Sequence, residues 1–172
     1  MNAEAYLGFG ANLGNPTQTF SKACELIEGF AEVLGFSKLY RSKPYGFADQ
    51  PSFVNAAARI RTTLSPKELL TKLQETERAL GKKVIRENGP RVIDLDLLLY
   101  EDLVLDTNEL QLPHPGILER DFVLRPLLDL NPELTHPSWS GTSIKQALEG
   151  IETSFLLQET DEPLDRPEGS QD

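Results

Sequence analysis

With one cysteine in 172 residues the chain can form no internal disulfide. Cys24 falls on the apolar side of an expected helix, where its role is packing. No apolar run approaches the roughly 18 residues that a membrane-crossing helix needs. Met1-Asn2-Ala3-Glu4 does not read as the start of a signal or transit peptide. Positive charge is scarce: Lys and Arg total 17 against 27 Asp and Glu, a formal net charge of −10, which works against nucleic acid or an anionic membrane as a partner. The expectation is a cytoplasmic protein with no obligate protein partner. Hydrophobic residues at 39% and charged residues at 26% are ordinary for a globular chain. Residues 1–153 are expected to form a single domain, and the acidic, Pro- and Gly-bearing end, 154–172, a disordered tail.

In so acidic a chain a basic cluster is informative. Between Lys82 and Arg91 four cations (Lys82, Lys83, Arg86, Arg91) face only Glu87, which points to a phosphate ligand. The cluster runs into Gly89-Pro90, a turn, and then into Val92-Ile93-Asp94-Leu95-Asp96-Leu97-Leu98-Leu99-Tyr100, an apolar run read as a buried strand. Alternation puts Val92, Asp94, Asp96, Leu98 and Tyr100 on one face and Ile93, Leu95, Leu97 and Leu99 on the other. Two ionised carboxylates roughly 7 Å apart on a covered face repel each other unless a cation joins them. All-oxygen ligands suit Mg²⁺, which takes one or two carboxylates together with substrate phosphates. Alternation puts Arg91 opposite Asp94, so Arg91 shares the site only if the chain turns at Pro90 before the strand begins.

Around this stretch the expected order is strand (5–9), helix, strand (33–42), strand (53–61), helix, strand. Asn15-Pro16 starts the first helix, whose stripe is Phe20, Ala23, Cys24 and Ile27. Gly8, Gly10 and Gly14 have the wrong spacing for a dinucleotide fingerprint, and no Walker lysine follows. Ser65-Pro66-Lys67-Glu68 is a capping box opening the second helix, which Gly81 ends. Gln74 and Glu77 border that helix's apolar stripe. Phe53 and Asn55 share a strand face, where a ring could stack on a flat ligand while an amide reads its edge. His114 stands between prolines, and a helix running to Leu130 is expected to kink or end at Pro126. Two strands pairing through a split βαβ make the fold α+β and ferredoxin-like, βαββαβ, an antiparallel sheet with an added C-terminal helical region.

Six segments keep a particular order: Gly10-Ala11-Asn12-Leu13-Gly14, Tyr40-Arg41-Ser42, Asp49-Gln50-Pro51-Ser52-Phe53-Val54-Asn55-Ala56-Ala57, Gly89-Pro90-Arg91-Val92-Ile93-Asp94-Leu95-Asp96, Leu112-Pro113-His114-Pro115 and Arg120-Asp121-Phe122-Val123-Leu124. Together they resemble the 6-hydroxymethyl-7,8-dihydropterin pyrophosphokinases of folate biosynthesis, over residues 5 to 150. The resemblance implies transfer of pyrophosphate from ATP to the pterin's hydroxymethyl group, with release of AMP. It implies two Mg²⁺ ions on Asp94 and Asp96, and catalytic roles for Arg91 and Lys82 beside them. Ser42, Tyr45, Phe53, Asn55 and Phe122 correspond to pterin contacts; Gln74, Glu77, Lys82, Arg86, Arg91, His114 and Arg120 correspond to ATP contacts. The chain departs from the family pattern at Lys82, where Arg is common, at Glu87-Asn88, where Arg-Trp is common, and at Ala11 in place of Ser.

The segment from Lys82 to Asn88 is expected to act as a lid over the phosphates. Two alternatives stay open: an Asp-x-Asp nucleotidyltransferase, which would release pyrophosphate instead of AMP, and a non-catalytic ferredoxin-like binding module.

Overall fold

A computed structural model describes residues 2–44, 50–82, 90–152 and 154–159. Five strands carry the main sheet's centre and one edge region: β1 (Ala3–Ala11), β2 (Glu32–Phe36), β3 (Tyr40–Ser42), β4 (Phe53–Thr62) and β5 (Asp94–Tyr100). Two helices, α1 (Pro16–Ile27) and α2 (Pro66–Ala79), lie between them in sequence. The strand order is β5-β1-β4-β3, all antiparallel, with β2 pairing on β4 beyond β3. β4 is thus inserted between β1 and β2, and β1 between β4 and β5, the split βαβ pattern expected from the sequence. A hairpin of β6 (Leu105–Asp106) and β7 (Gln111–Leu112) follows, then α3 (Asp121–Leu130) and α4 (Ile144–Glu149).

Both helix starts form as their residues dictate. Asn15 Oδ1 accepts from Gln18 N–H at 3.2 Å, and Ser65 and Glu68 close a reciprocal capping box ahead of Pro66. Gly81, at φ +92°, takes the left-handed conformation that stops α2 at little cost.

The sheet has a core on each face. Phe20, Ala23, Cys24 and Ile27 of α1 and Leu69 and Leu73 of α2 pack on Leu7, Phe9, Ile60 and Leu95. On the other face Leu124 and Leu127 of α3 and Ile144 of α4 pack on Tyr6, Ala57, Leu98 and Leu99. Each such large side chain contributes about 1.5–3 kcal/mol relative to exposure. The second layer stops short of one end of the sheet, and the hollow lies there.

Several expectations change. The strand expected over 33–42 is two strands, because Ser37 breaks the ladder: its N–H donates to Ala57 O at 2.9 Å and its hydroxyl accepts from Ala57 N–H at 2.8 Å. As a result Phe36 packs in the helix-covered core while Tyr40 reaches Asp129 on the opposite face. The strand expected from Val92 begins at Asp94. Its alternation fails after Leu98, an extra residue between the Leu7↔Leu97 and Tyr6↔Leu99 pairs; Leu98 and Leu99 both join the second core and Tyr100 turns to the first. The strand expected over 103–105 forms only at Leu105–Asp106. Pro126 does not end α3, which continues to Leu130. The tail expected from residue 154 begins instead as β8 (Leu156–Glu159), an edge strand paired with β3. Residues 160–172 lie outside the described residues.

Candidate active site

The uncovered end of the sheet is lined by side chains that strand alternation sends to one face. In the register, Gly10 stands between Asn55 of β4 and Asp94 of β5, and Gly8 between Ala57 and Asp96. The glycines leave a bare floor, and the result is a hollow of about 180 Å³. A side chain at Gly8 would meet Leu98 Cδ1 at 3.3 Å, and one at Gly10 would meet Asn55 Oδ1 at 3.8 Å. These two glycines, dismissed as a nucleotide fingerprint, are the site's floor.

The hollow brings together Ser42, Phe53, Asn55, Arg91, Asp94, Asp96, His114, Arg120 and Phe122, all expected site residues from five separate segments. Lys43 and Val123, neither of them an expected site residue, join them. Asn55 is buried, and its Nδ2 donates to Ser42 Oγ at 2.8 Å and to Tyr40 O at 3.3 Å. Ser42 therefore orients the amide.

Arg91 reaches the site because the chain turns before the strand begins, the condition the sequence left open. Asn12 enforces the turn: its Oδ1 accepts from Arg91 N–H at 2.8 Å, while Arg91 O accepts from the N–H groups of Asn12 and Leu13. The same buried Asn12 donates through Nδ2 to Gln50 Oε1 and Pro51 O. It joins three loops at the rim, a role that the motif around it did not reveal.

Asp94 and Asp96 differ in their surroundings. Asp94 Oδ1 lies 2.8 Å from Lys82 Nζ and 3.7 Å from Arg91 Nε. Asp96 opens to the hollow. Loss of hydration in the crowded cleft and the adjacent Asp94 charge push its carboxyl up to about 6, against Lys82 and Arg120, which pull it down. Since water reaches Asp96 through the cleft, the Asp94 charge is the firmer of these causes. For Lys82, burial favours the neutral amine, but Asp94 and Glu77 outweigh it and raise the ammonium's pKa.

Glu77 and Gln74 line neither this hollow nor its neighbour. Glu77 is buried, and its Oε2 accepts from Leu95 N–H at 2.7 Å and lies 3.1 Å from Lys82 Nζ. Burial raises its pKa against those two partners. It ties α2 to β5 and holds Lys82. Gln74 is exposed on α2. Tyr45, Arg86 and most of the expected lid, residues 83–88 of Lys82–Asn88, lie outside the described residues.

A second hollow, of about 370 Å³, adjoins the first. It has Leu70, Leu97, Leu110 and Pro115 among its walls and shares Asp96 and His114 with the first. His114 Nδ1 accepts from Gly116 N–H at 3.1 Å, so a neutral ring carries its proton on Nε2. Burial, and then Arg120, lower the ring's pKa and favour that neutral form. Gly116 makes room for Arg120, whose Cζ would lie 2.7 Å from a Cβ there.

The donor chemistry fits a hard divalent cation. Asp94 and Asp96 offer oxygen on one face, and among the described residues no group of three or more His, Cys, Asp or Glu could hold a metal in a closed cage. An ion here needs water or a ligand's oxygens to complete its shell, which is how Mg²⁺ is bound beside phosphates. No helix among the described residues is long and apolar enough to cross a membrane.

Residues 6–132 match the family model of 7,8-dihydro-6-hydroxymethylpterin-pyrophosphokinase (HPPK). The chain is 42% identical over 135 residues to the 2-amino-4-hydroxy-6-hydroxymethyldihydropteridine pyrophosphokinase of Aquifex aeolicus, covering 78% of this chain and 84% of that protein. It is 43% identical over 153 residues to the folic acid synthesis protein fol1 of Schizosaccharomyces pombe and 43% over 152 residues to that of Pneumocystis carinii. In each case 87% of this chain is covered, but it spans only about a fifth of those proteins, 21% and 20%. The wild-type HPPK-DHPS of Plasmodium falciparum, solved with pteroate, superposes with a TM-score of 0.71 at 16% identity, over 87% of this chain and 42% of that one. That last likeness is one of fold.

Proposed function

Because the chain belongs to the 7,8-dihydro-6-hydroxymethylpterin-pyrophosphokinase family, we propose that it transfers pyrophosphate from ATP to the hydroxymethyl group of 6-hydroxymethyl-7,8-dihydropterin in folate biosynthesis, releasing AMP. The observation that carries this reading is the meeting of two hollows at Asp96 and His114. One has the walls of a slot for a flat, hydrogen-bonding ring: Phe53 and Phe122 as aromatic surface, Asn55 as the edge reader held by Ser42. The other offers apolar cover for a nucleobase from Leu70, Leu97 and Leu110. Phosphates joining the two would pass His114 and Arg120 and end at the aspartates.

In the transfer, the hydroxymethyl oxygen bonds to the β-phosphorus, the bond from that phosphorus to AMP's oxygen breaks, and the hydroxyl proton is lost. Little covalent work falls to the protein, so its task is alignment and charge. Neutral His114 donates from Nε2 to a phosphate oxygen, and Arg120, Arg91 and Lys82 face the charge on the transferred group. Asp94 and Asp96 would hold two Mg²⁺ ions, which supply neutralisation of phosphate charge when bound.

Incubation of the protein with ATP, Mg²⁺ and the hydroxymethyl dihydropterin tests the reading. AMP and the pterin diphosphate in equal amounts are expected. Free pyrophosphate with a nucleotidylated product would identify a nucleotidyltransferase, and binding without turnover a ligand-binding module.

A further inference from the structure

The segment 154–159 lies beyond the family match at residues 6–132 and was read from composition as tail. It is nevertheless fastened to both sides of the first hollow. On one side its anchor is Asp121, the first residue of α3, which is 3% exposed. Asp121 Oδ2 accepts from Ser154 Oγ at 2.8 Å, Phe155 N–H at 3.0 Å and Leu156 N–H at 3.2 Å, and Oδ1 lies 3.2 Å from the same Phe155 nitrogen. A buried carboxylate engaged by several donors is a fixed point. The next residue along α3 is Phe122, an aromatic wall of the hollow, and Phe155 meets it edge-on with ring centroids 5.9 Å apart at 66°.

On the other side Phe155 O accepts from Lys43 N–H at 2.7 Å, and the strand that follows pairs Leu156 with Ser42, Gln158 with Arg41 and Glu159 with Tyr40. Lys43 and Ser42 both line the hollow, and Ser42 orients Asn55. One short segment thus joins the Phe122 wall to the Ser42–Lys43 wall, with Phe155 touching both. α3 also meets β3 directly, where Tyr40 donates to Asp129, but farther along the helix from Phe122.

We propose that Ser154–Glu159 is a positioning strap for the pterin slot, with Asp121 as its anchor and Phe155 as the brace that sets Phe122 against the Asn55 side. Neither residue lines the hollow, so they act through Phe122, Lys43 and Ser42. Its bonds to Asp121, Lys43 and β3 lie on the Phe122 and Ser42 side of the site, so its influence is expected on the pterin. This inference rests on the pterin reading above.

The test uses the full chain with Phe155→Ala, Phe155→Tyr and Asp121→Asn, titrated separately with the hydroxymethyl dihydropterin and with Mg²⁺ and a non-hydrolysable ATP analogue. Loss of the edge contact is expected to weaken pterin binding by up to about tenfold in Phe155→Ala, with the nucleotide constant within about twofold of wild type. Phe155→Tyr, which keeps the ring edge, is expected to retain most of the affinity. Asp121→Asn, which trades an acceptor oxygen for a donor facing N–H groups, is expected to follow Phe155→Ala. Wild-type binding matched within about twofold by both Phe155→Ala and Asp121→Asn would overturn the strap alone, as would equal weakening of pterin and nucleotide in either. A wild-type protein that binds nucleotide but no pterin would overturn the pterin reading, and the strap's role with it.

Discussion

Lys82 Nζ lies 2.8 Å from Asp94 Oδ1 and 3.1 Å from Glu77 Oε2, so one ammonium neutralises a carboxylate at the hollow and a buried glutamate together. The sequence called for a cation between Asp94 and Asp96; Lys82 instead bridges Asp94 to Glu77 of α2. Lys82→Met would leave Glu77 buried opposite no charge. A loss on the order of 1–3 kcal/mol is expected, below the cost of breaking a fully buried pair because Asp94 is one-third exposed. Lys82→Arg is expected to keep most of it. Urea unfolding with and without Mg²⁺ checks both, and a loss that Mg²⁺ does nothing to restore would count against an ion at Asp94.

Asp94→Asn and Asp96→Asn are each expected to lower turnover by roughly 100-fold or more, the scale on which one charge-stabilising group matters. The fold should survive, since either change relieves repulsion between neighbours on one strand face. Steady-state kinetics with circular dichroism is the check; a normal kcat in both single variants would remove the metal assignment.

Asp96 makes stability depend on pH in a predictable direction. Its folded pKa, about 6, stands above the ordinary 3.8. Below 3.8 the carboxyl is neutral in both states and costs nothing. As pH rises from there to about 6 the unfolded chain ionises more readily, so this group's contribution to stability falls, and above about 6 the loss is constant. Asp96→Asn is therefore expected to gain stability over wild type progressively across that window when Mg²⁺ is absent. A difference between the two proteins that does not change from pH 4 to pH 7 would contradict it. Divalent-ion affinity in the wild type should likewise weaken as pH falls through about 6.

Asn55→Ala is expected to weaken pterin binding by about 1–3 kcal/mol, the cost of an unpaired buried partner, and to leave ATP binding nearly unchanged. Calorimetric titration of each ligand separately distinguishes this from a general loosening, which would lower both affinities.

Gly116→Ala places a methyl group where the Arg120 guanidinium now lies, with Cζ at 2.7 Å. The side chain, and not the backbone, should give way. KM for ATP is expected to rise by an amount comparable to that in Arg120→Ala while thermal stability changes little, and an unchanged KM in Gly116→Ala alone would show that Arg120 needs no such seat.

By itself the sequence determined what local chemistry determines: two helices with their caps, the alternation that sends Phe53 and Asn55, and Asp94 and Asp96, to shared faces, and the split βαβ order. It also pointed, through a basic cluster in an acidic chain, to a phosphate ligand and, through the Asp94–Asp96 pair, to a metal. The prolines around His114 singled it out, and the resemblance added Arg120 and Phe122. Only the tertiary structure decided how these segments meet. Arg91 enters because Asn12, 79 positions away, holds its backbone turned. The bare floor of Gly8 and Gly10 acquires meaning only once β4 and β5 flank β1. Glu77 corresponds to an ATP contact by the resemblance, yet its carboxylate is engaged by Leu95 N–H and Lys82 because α2 packs on β5. The strand at 156–159 is invisible in an acidic, Pro-bearing composition, since what orders it is Asp121 and the open edge of β3, both distant in the chain. Periodicity and capping act within a few residues, whereas register, bulges and the partners of a buried carboxylate are set by neighbours that only folding brings together.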